Sequence, residues 1–458
     1  MLQLLLILLP IIIALYAYLL GRQRRLALWA AGLALIVEGY VSSFVSLDHS
    51  VRLLGAVFSL DRLGQLFVYL FLFLAAMIII SAYALNQGEF PIPMVLFVLG
   101  ITCAIILLDD PIVVSLLLEV VGLAIVLGIV DLPQEPVGLL PIPALMAGLK
   151  YLTMMVLSGI TLVLGFRILV AFQDTPQQAL YMKLAFGLLV VGFGLGTAVV
   201  PFHLWFPDLA GHASTAVTST LVALVQGAAL LLLGREFMQT PQLLLGNPQG
   251  SLWLTGGAIV AALVAAILAV GQDRLKRLAA YAASYDVALI LFAFSLANPQ
   301  ALQAGFMLII HHGLALVLLL TCIGVLAWST GRDDVAGLVG VAYRMPLVTL
   351  GLVLATLSLA GIPPLLGFAA RWSLYGEALA RSWLYAAGML VAAAFFLLAM
   401  VRAIWPALLP TEQTVSYRLV PWPVQVVIGM LIVALVVLGL YPQPVMDVLR
   451  AAVGVLGP

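Results

Sequence analysis

Val199-Val200-Pro201-Phe202-His203-Leu204-Trp205-Phe206-Pro207 and Ala360-Gly361-Ile362-Pro363-Pro364-Leu365-Leu366-Gly367 each interrupt a long apolar run. Proline lacks a backbone donor and clashes with the preceding turn, so Pro201 and Pro363 each break a helix. Carbonyls freed at membrane depth must face protein or water, never lipid. Outward from these two breaks, the apolar segments run to roughly 20 residues each, the length of a membrane-crossing helix. None shows the period-two alternation of a barrel strand. The reading is an all-α polytopic membrane protein of about 14 spans. The breaks fall in spans 7 and 12, five helices apart. Paired broken helices at corresponding positions point to inverted repeats. Spans 4–8 and 9–13 are therefore expected to form two inverted five-helix repeats. The chain then divides into flanking helices at 1–85, a first repeat at 90–235, a second at 250–405 and a last flanking helix at 420–458.

Composition supports this. The 458 residues are 65% hydrophobic and 8% charged, with a mean hydropathy of +1.23. A soluble chain carries roughly 25% charged residues. The 19 Lys+Arg and 19 Asp+Glu are too few to cover a soluble surface of this size, and their zero net charge implies no nucleic-acid partner. Cys103 and Cys322 lie in apolar runs without a partner at ligand spacing, so no metal and no cofactor is expected. The first apolar run is followed, not preceded, by Arg22, Arg24 and Arg25, unlike a cleaved signal peptide. One loop set collects Arg22, Arg24, Arg25, Arg274, Lys276, Arg277, Arg332, Arg344, Arg402 and Arg418. The other holds Arg52, Arg62, Lys183, Arg235, Arg381 and Arg450. The excess places the first set inside and both termini outside.

An ionisable side chain inside a membrane is costly and marks a functional position. Glu119 sits mid-span five, a candidate switchable proton site. Lys150, early in span six, reads as its partner. Asp286 lies in span ten, the counterpart of span five. His311 and His312 occupy span eleven, and a neutral imidazole can both donate and accept a proton. Arg371, beyond the second break, stays protonated and biases its neighbours rather than carrying protons. Glu377 reads as an exit position, and Glu38 in span two has less context. Gly192-Phe193-Gly194-Leu195-Gly196 has no preceding strand and reads as close helix packing.

Taken in order, five pieces carry a resemblance. They are Leu118-Glu119, Ala147-Gly148-Leu149-Lys150-Tyr151, Val199 to Asp208 with its Pro201-Phe202-His203 core, Leu275-Lys276-Arg277-Leu278-Ala279-Ala280-Tyr281, and Ala360-Gly361-Ile362-Pro363 with Gly367-Phe368. Over roughly residues 90–405 the chain resembles the antiporter-like membrane subunits of respiratory complex I. These are related to Mrp-type cation/proton antiporters and to energy-converting hydrogenases; the Gly-Leu-Lys-Tyr piece is most like the N-type subunit. The resemblance implies a fourteen-helix fold and a hydrophilic axis at mid-membrane along which protons, or Na+ as the alternative ion, move between ionisable residues. Glu119 and Lys150 fall on the family's span-five glutamate and span-six lysine. The chain departs from the family at Gly196 and Gln226, where lysines are usual, at Asp286, often histidine, and at Arg371, usually lysine or glutamate.

The implied function is a proton-translocating subunit in the membrane arm of an NAD(P)H- or ferredoxin:quinone oxidoreductase of the NADH-quinone oxidoreductase type. Its partners would be other membrane-arm subunits and lipid. The redox arm would act indirectly, quinone would bind only in neighbouring subunits, and this chain would hold no redox chemistry. The alternatives are a subunit of an Mrp-type antiporter or ion-coupled uptake complex, and a structural spacer whose pumping is impaired at Gly196 and Gln226. The expected location is a bacterial plasma membrane or a thylakoid-type energy-transducing membrane.

Overall fold

The computed structural model describes residues 2–21, 23–47, 49–53, 55–130, 142–172, 178–410 and 418–454. Arg22, used above for topology, lies outside them. The helices are α1 (Leu2–Leu20), α2 (Arg24–Phe44), α3 (Arg62–Ala84), α4 (Pro91–Leu107), α5 (Pro111–Val130), α6 (Ile142–Ala171), α7 (Gln178–Thr197), α8 (Trp205–His212), α9 (Thr215–Thr220), α10 (Gly227–Gln239), α11 (Gln242–Leu245), α12 (Pro248–Val270), α13 (Leu275–Ser295), α14 (Pro299–Thr330), α15 (Val341–Arg344), α16 (Pro346–Ala360), α17 (Leu366–Arg381), α18 (Trp383–Ile404), α19 (Trp422–Leu440) and α20 (Gln443–Gly454). Starts follow local chemistry. Asp61, Asn247 and Asn298 accept from the Gly64, Gly250 and Ala301 amides, and Pro91, Pro248, Pro299 and Pro346 open their helices where no N–H is needed.

Twelve of the described helical segments are long and apolar enough to cross a membrane, and α4 and α16 are shorter apolar helices. The chain is an integral membrane protein. One element departs from the all-α expectation. Val51–Leu53 (β1) and Ala56–Phe58 (β2) pair antiparallel around Gly55, whose φ of 84° suits a residue without Cβ. The hairpin lies between α2 and α3, where β-branched Val51 and Val57 favour strand, and Ser59 N–H donates to Leu107 O at the end of α4.

Packing sorts the helices by exposure. In α9–α10 and in α14 the most apolar stretch is wholly buried, whereas α1, α2, α18 and α19 leave most of theirs open. A buried 32-residue α14 therefore forms the central post, packed by α13, α16, α17, α19 and α10. Both proline-marked breaks form. α7 stops at Thr197, the chain turns through left-handed Ala198, and a short 3-10 turn (Phe202–Leu204) leads into α8. α16 stops at Ala360, turns through left-handed Gly361 and resumes as α17.

The freed carbonyls are met by side chains. Trp205 Nε1 donates to Leu195 O (3.1 Å), Gln226 Nε2 to Thr197 O (3.0 Å), Ser284 Oγ to Ala198 O (2.9 Å) and Arg371 Nη1 to Leu359 O (2.5 Å). That is the satisfaction a non-helical backbone needs at membrane depth.

Candidate functional site

The buried polar groups of the second half converge on Asp286. Mid-way along α13, its carboxylate is fully buried. Arg371, one turn into α17 and also buried, donates from Nη2 to Asp286 Oδ1 at 2.6 Å. The guanidinium also lies over the Tyr285 ring, 5.4 Å from its centroid, and that ring stacks on Phe396 at 4.3 Å. Arg371 is thus locked on three sides: the second break, Asp286 and an aromatic face. A Cβ at Gly361 would stand 2.9 Å from Arg371 Nη1, so glycine here serves both the left-handed turn and the guanidinium's seat.

His311 and His312 both turn toward the same carboxylate from α14. Their Nδ1 atoms lie 3.2 and 3.6 Å from Asp286 Oδ2, and both rings are fully buried. His311 Nε2 faces Gly367 of α17, where a Cβ would come within 2.8 Å of it. His312 Nε2 lies 3.3 Å from Gln226 Oε1. Gln226 belongs to a π-helical turn (Leu221–Gln226) between α9 and α10, a local irregularity frequent at functional positions.

These bonds assign the tautomer. Gln226 must present its amide N–H to the Thr197 carbonyl, so its Oε1 is an acceptor, and His312 Nε2 carries the proton that Oε1 receives. Neutral His312 then offers a bare Nδ1 to Asp286 Oδ2, lone pair against carboxylate. One added proton converts that repulsion into a charge-assisted hydrogen bond. His311 Nε2 has no hydrogen-bond partner among the described residues, and its Nδ1, 3.2 Å from Asp286 Oδ2, is placed to donate to the carboxylate. The buried series Thr197 O–Gln226–His312–Asp286–Arg371–Leu359 O joins the two helix breaks, through hydrogen bonds except at the 3.6 Å contact between His312 and Asp286.

Glu119 stands apart from this chain. It is half-buried on α5, its Oε1 has no partner among the described residues, and its carboxyl rests on Gly159 of α6, where a Cβ would be 2.5 Å from Oε1. The expected pairing with Lys150 is not formed. Gly159 is nine residues beyond Lys150, about 14 Å along α6 at 1.5 Å per residue, farther than a lysine reaches. Lys150 is instead exposed, and its Nζ donates to Asp208 Oδ2 at 2.6 Å; Arg277 Nη2 stands 3.6 Å from the other oxygen of Asp208. Gly196 faces α6 beside Glu119's contact, since a Cβ there would lie 3.0 Å from Ser158 Oγ.

The remaining positions scatter. His203, on the 3-10 turn after Pro201, is buried with both ring nitrogens unbonded among the described residues, its ring 5.8 Å from Tyr281. Glu377 accepts from Asn298 Nδ2 at 3.0 Å at the far end of α17. Glu38 is fully buried in α2 with both carboxyl oxygens unbonded among the described residues. Sequence reasoning had passed over Gln226 and Asp208 as site residues. Asp208 ended a quoted motif, and Gln226 was noted only for not being lysine.

A family model described as "NADH:quinone oxidoreductase/Mrp antiporter, TM" matches residues 144–397, more than half of the chain. The chain belongs to this family. Among curated relatives, it is 28% identical over 443 residues to "NADH-quinone oxidoreductase subunit N" of Moorella thermoacetica, covering 90% of this chain and 88% of that protein. It is also 28% identical over 284 residues to "F(420)H(2) dehydrogenase subunit N" of Methanosarcina mazei, where the match spans 57% of the relative's length. Solved structures share the fold. An archaeal membrane-bound sulfane sulfur reductase chain superposes with a TM-score of 0.86 at 18% identity, over 99% of this chain and 97% of that one. A chain of the Mrp complex from Dietzia sp. does so at 0.84 and 20%, with the same coverage. The family-matched region spans α6 to α18 and so contains the whole Asp286 cluster.

Proposed function

We propose that this chain is a proton-translocating, antiporter-like subunit of the membrane arm of a complex I-type quinone oxidoreductase. The observation that carries the reading is the buried chain Gln226–His312–Asp286–Arg371 joining the two helix breaks. Its centre, among His311 Nδ1, Asp286 Oδ2 and His312 Nδ1, holds or releases one proton while Arg371 keeps a fixed positive charge. Gln226 positions His312 and the first break; a neutral amide does not itself carry a net proton. Glu119 serves the first half as a separate carboxyl site. Lys150, Asp208 and Arg277 form a charged edge where a neighbouring subunit would sense or pass charge. Conformational or charge changes in neighbouring subunits shift the proton by altering the field at Asp286.

In this reading the chain makes fourteen crossings. α4–α10 and α12–α18 carry the two inverted repeats assigned to 90–235 and 250–405, and both termini face outside a bacterial plasma membrane. Its partners are other membrane-arm subunits, and no electron carrier sits in this chain. Similarity to N-type subunits by sequence supports the oxidoreductase over a free-standing antiporter.

The test is proton transport per electron in proteoliposomes holding the assembled complex, with Glu119→Gln and Asp286→Glu. Loss of stoichiometry in both variants with electron transfer retained is the expected result. Unchanged stoichiometry in both removes the role assigned here.

A further inference from the structure

We infer that the outer face between α3, α14, α19 and α20 is a binding site for one anionic phospholipid. It is an open apolar groove of about 720 Å³, lined among others by Leu66, Tyr69, Phe73, Leu314, Met430 and Val433. Val433 and Met430 are 59% and 43% exposed, so none of the described residues covers it.

Three observations select the occupant. The first is length. The α19 wall runs from Val426 to Leu438, about 18 Å at 1.5 Å per residue. One leaflet of the hydrocarbon core is about 15 Å. The groove therefore matches one acyl chain lying along the bilayer normal.

The second is charge. Arg62 opens α3 and is exposed, and no hydrogen bond or ion pair engages it among the described residues. Arg62, Leu66, Tyr69, Leu70 and Phe73 follow the i, i+4, i+7, i+8, i+11 spacing of one helix face. The free guanidinium thus stands one turn beyond the end of the apolar track, where the headgroup phosphate of a chain seated in the groove would lie.

The third is the neighbour at the same end. α20 follows α19 directly, packs on α3 and α14, and places Val445 in the groove. Asp447 and Arg450 pair with each other at 3.2 Å on its exposed side, so Arg450 is engaged whereas Arg62 has no partner among the described residues. Such a short polar-faced helix is suited to lie at the headgroup level.

The experiment uses the full chain, in its complex, in phosphatidylcholine nanodiscs. The probe is phosphatidylglycerol with a diazirine at the end of one acyl chain, and labelled residues are mapped by mass spectrometry. Labelling is expected to concentrate on the α3 and α19 groove residues. Arg62→Gln should lower it about fivefold at the same probe fraction, the effect of one basic side chain at an anionic surface. Gly429→Trp should nearly abolish it, because Gly429 lines the groove and a Cβ there meets nothing within 4 Å. Arg381→Gln, at an exposed arginine that does not line the groove, should change nothing. The inference is overturned if groove labelling is no denser than on α1 and α2, if Arg62→Gln leaves it unchanged, or if another polypeptide cross-links into the groove.

Discussion

Replacing Arg371 by leucine removes the cation from a fully buried carboxylate. At the 2.6 Å separation between Arg371 Nη2 and Asp286 Oδ1, the Coulomb attraction is about 6 kcal/mol at an effective dielectric constant of about 20. Desolvation of two buried ions takes several kcal/mol each, so the pair contributes little net stability over an apolar pair of similar volume. Removing one member is different, costing about 3–5 kcal/mol because the other is left uncompensated. Arg371→Leu should therefore destabilise the folded chain by about that much, part of it from the Leu359 carbonyl losing its donor. Asp286→Asn should also destabilise, since Arg371 then lacks a counter-charge. The double variant Asp286→Asn/Arg371→Leu should be more stable than Arg371→Leu alone, with an interaction of about 2–3 kcal/mol in the double-mutant cycle. The assay is the equilibrium unfolding of the purified subunit in mixed micelles, with helical circular dichroism as readout. Additive single effects would refute the argument, because they would mean that the two charges do not depend on each other.

Gln226→Leu removes the donor to the Thr197 carbonyl and frees His312 Nε2; a loss of about 1–3 kcal/mol is expected in the same unfolding assay, with transport reduced and electron transfer retained. Lys150→Ala breaks an exposed ion pair and should change stability by no more than about 1 kcal/mol, whereas a true partner of Glu119 would cost far more. Gly159→Leu places side-chain atoms where the Glu119 carboxyl now rests and should push it outward, so Glu119 should react faster with a water-soluble carbodiimide than in the parent chain, read by mass spectrometry. In the loop after α14, hydrogen bonds from Arg332 hold the Asp334 carboxyl below the usual carboxylate range. Its folded-state pKa is depressed, so its stabilisation is present above the unfolded carboxylate pKa and fades as pH falls through the folded value; Asp334→Asn should match the parent chain at low pH and be the less stable of the two at neutral pH.

Legibility differed between the two halves of the candidate site. Asp286, His311, His312 and Arg371 were readable because hydrocarbon tolerates no idle ionisable group, so each declares itself by residue type alone. That they meet at one point was not readable. Their separations along the chain are long, and only the packing of α13, α14 and α17 brings the carboxylate within 3.2 and 2.6 Å of His311 and Arg371. Gln226 stands out in the sequence only as a missing lysine, because glutamine carries no charge to mark a role of its own. Its importance comes from a π-helical turn and two bonding partners contributed by distant helices. The expected pairing of Lys150 with Glu119 fails for the converse reason. Its type was informative, but the helix rise put it a long way from Glu119 and next to Asp208.

Residue type and run length by themselves determined that this chain lives in a membrane, is built of helices and breaks two of them at Pro201 and Pro363. These follow from local physics: the cost of burying unpaired backbone groups in lipid, and the missing N–H of proline. Tertiary structure alone decided which side chains answer the carbonyls freed at those breaks, which charge neutralises which, and which helix face is left open to lipid. Those outcomes depend on distances between segments far apart in the chain, and a pattern along one dimension does not encode them.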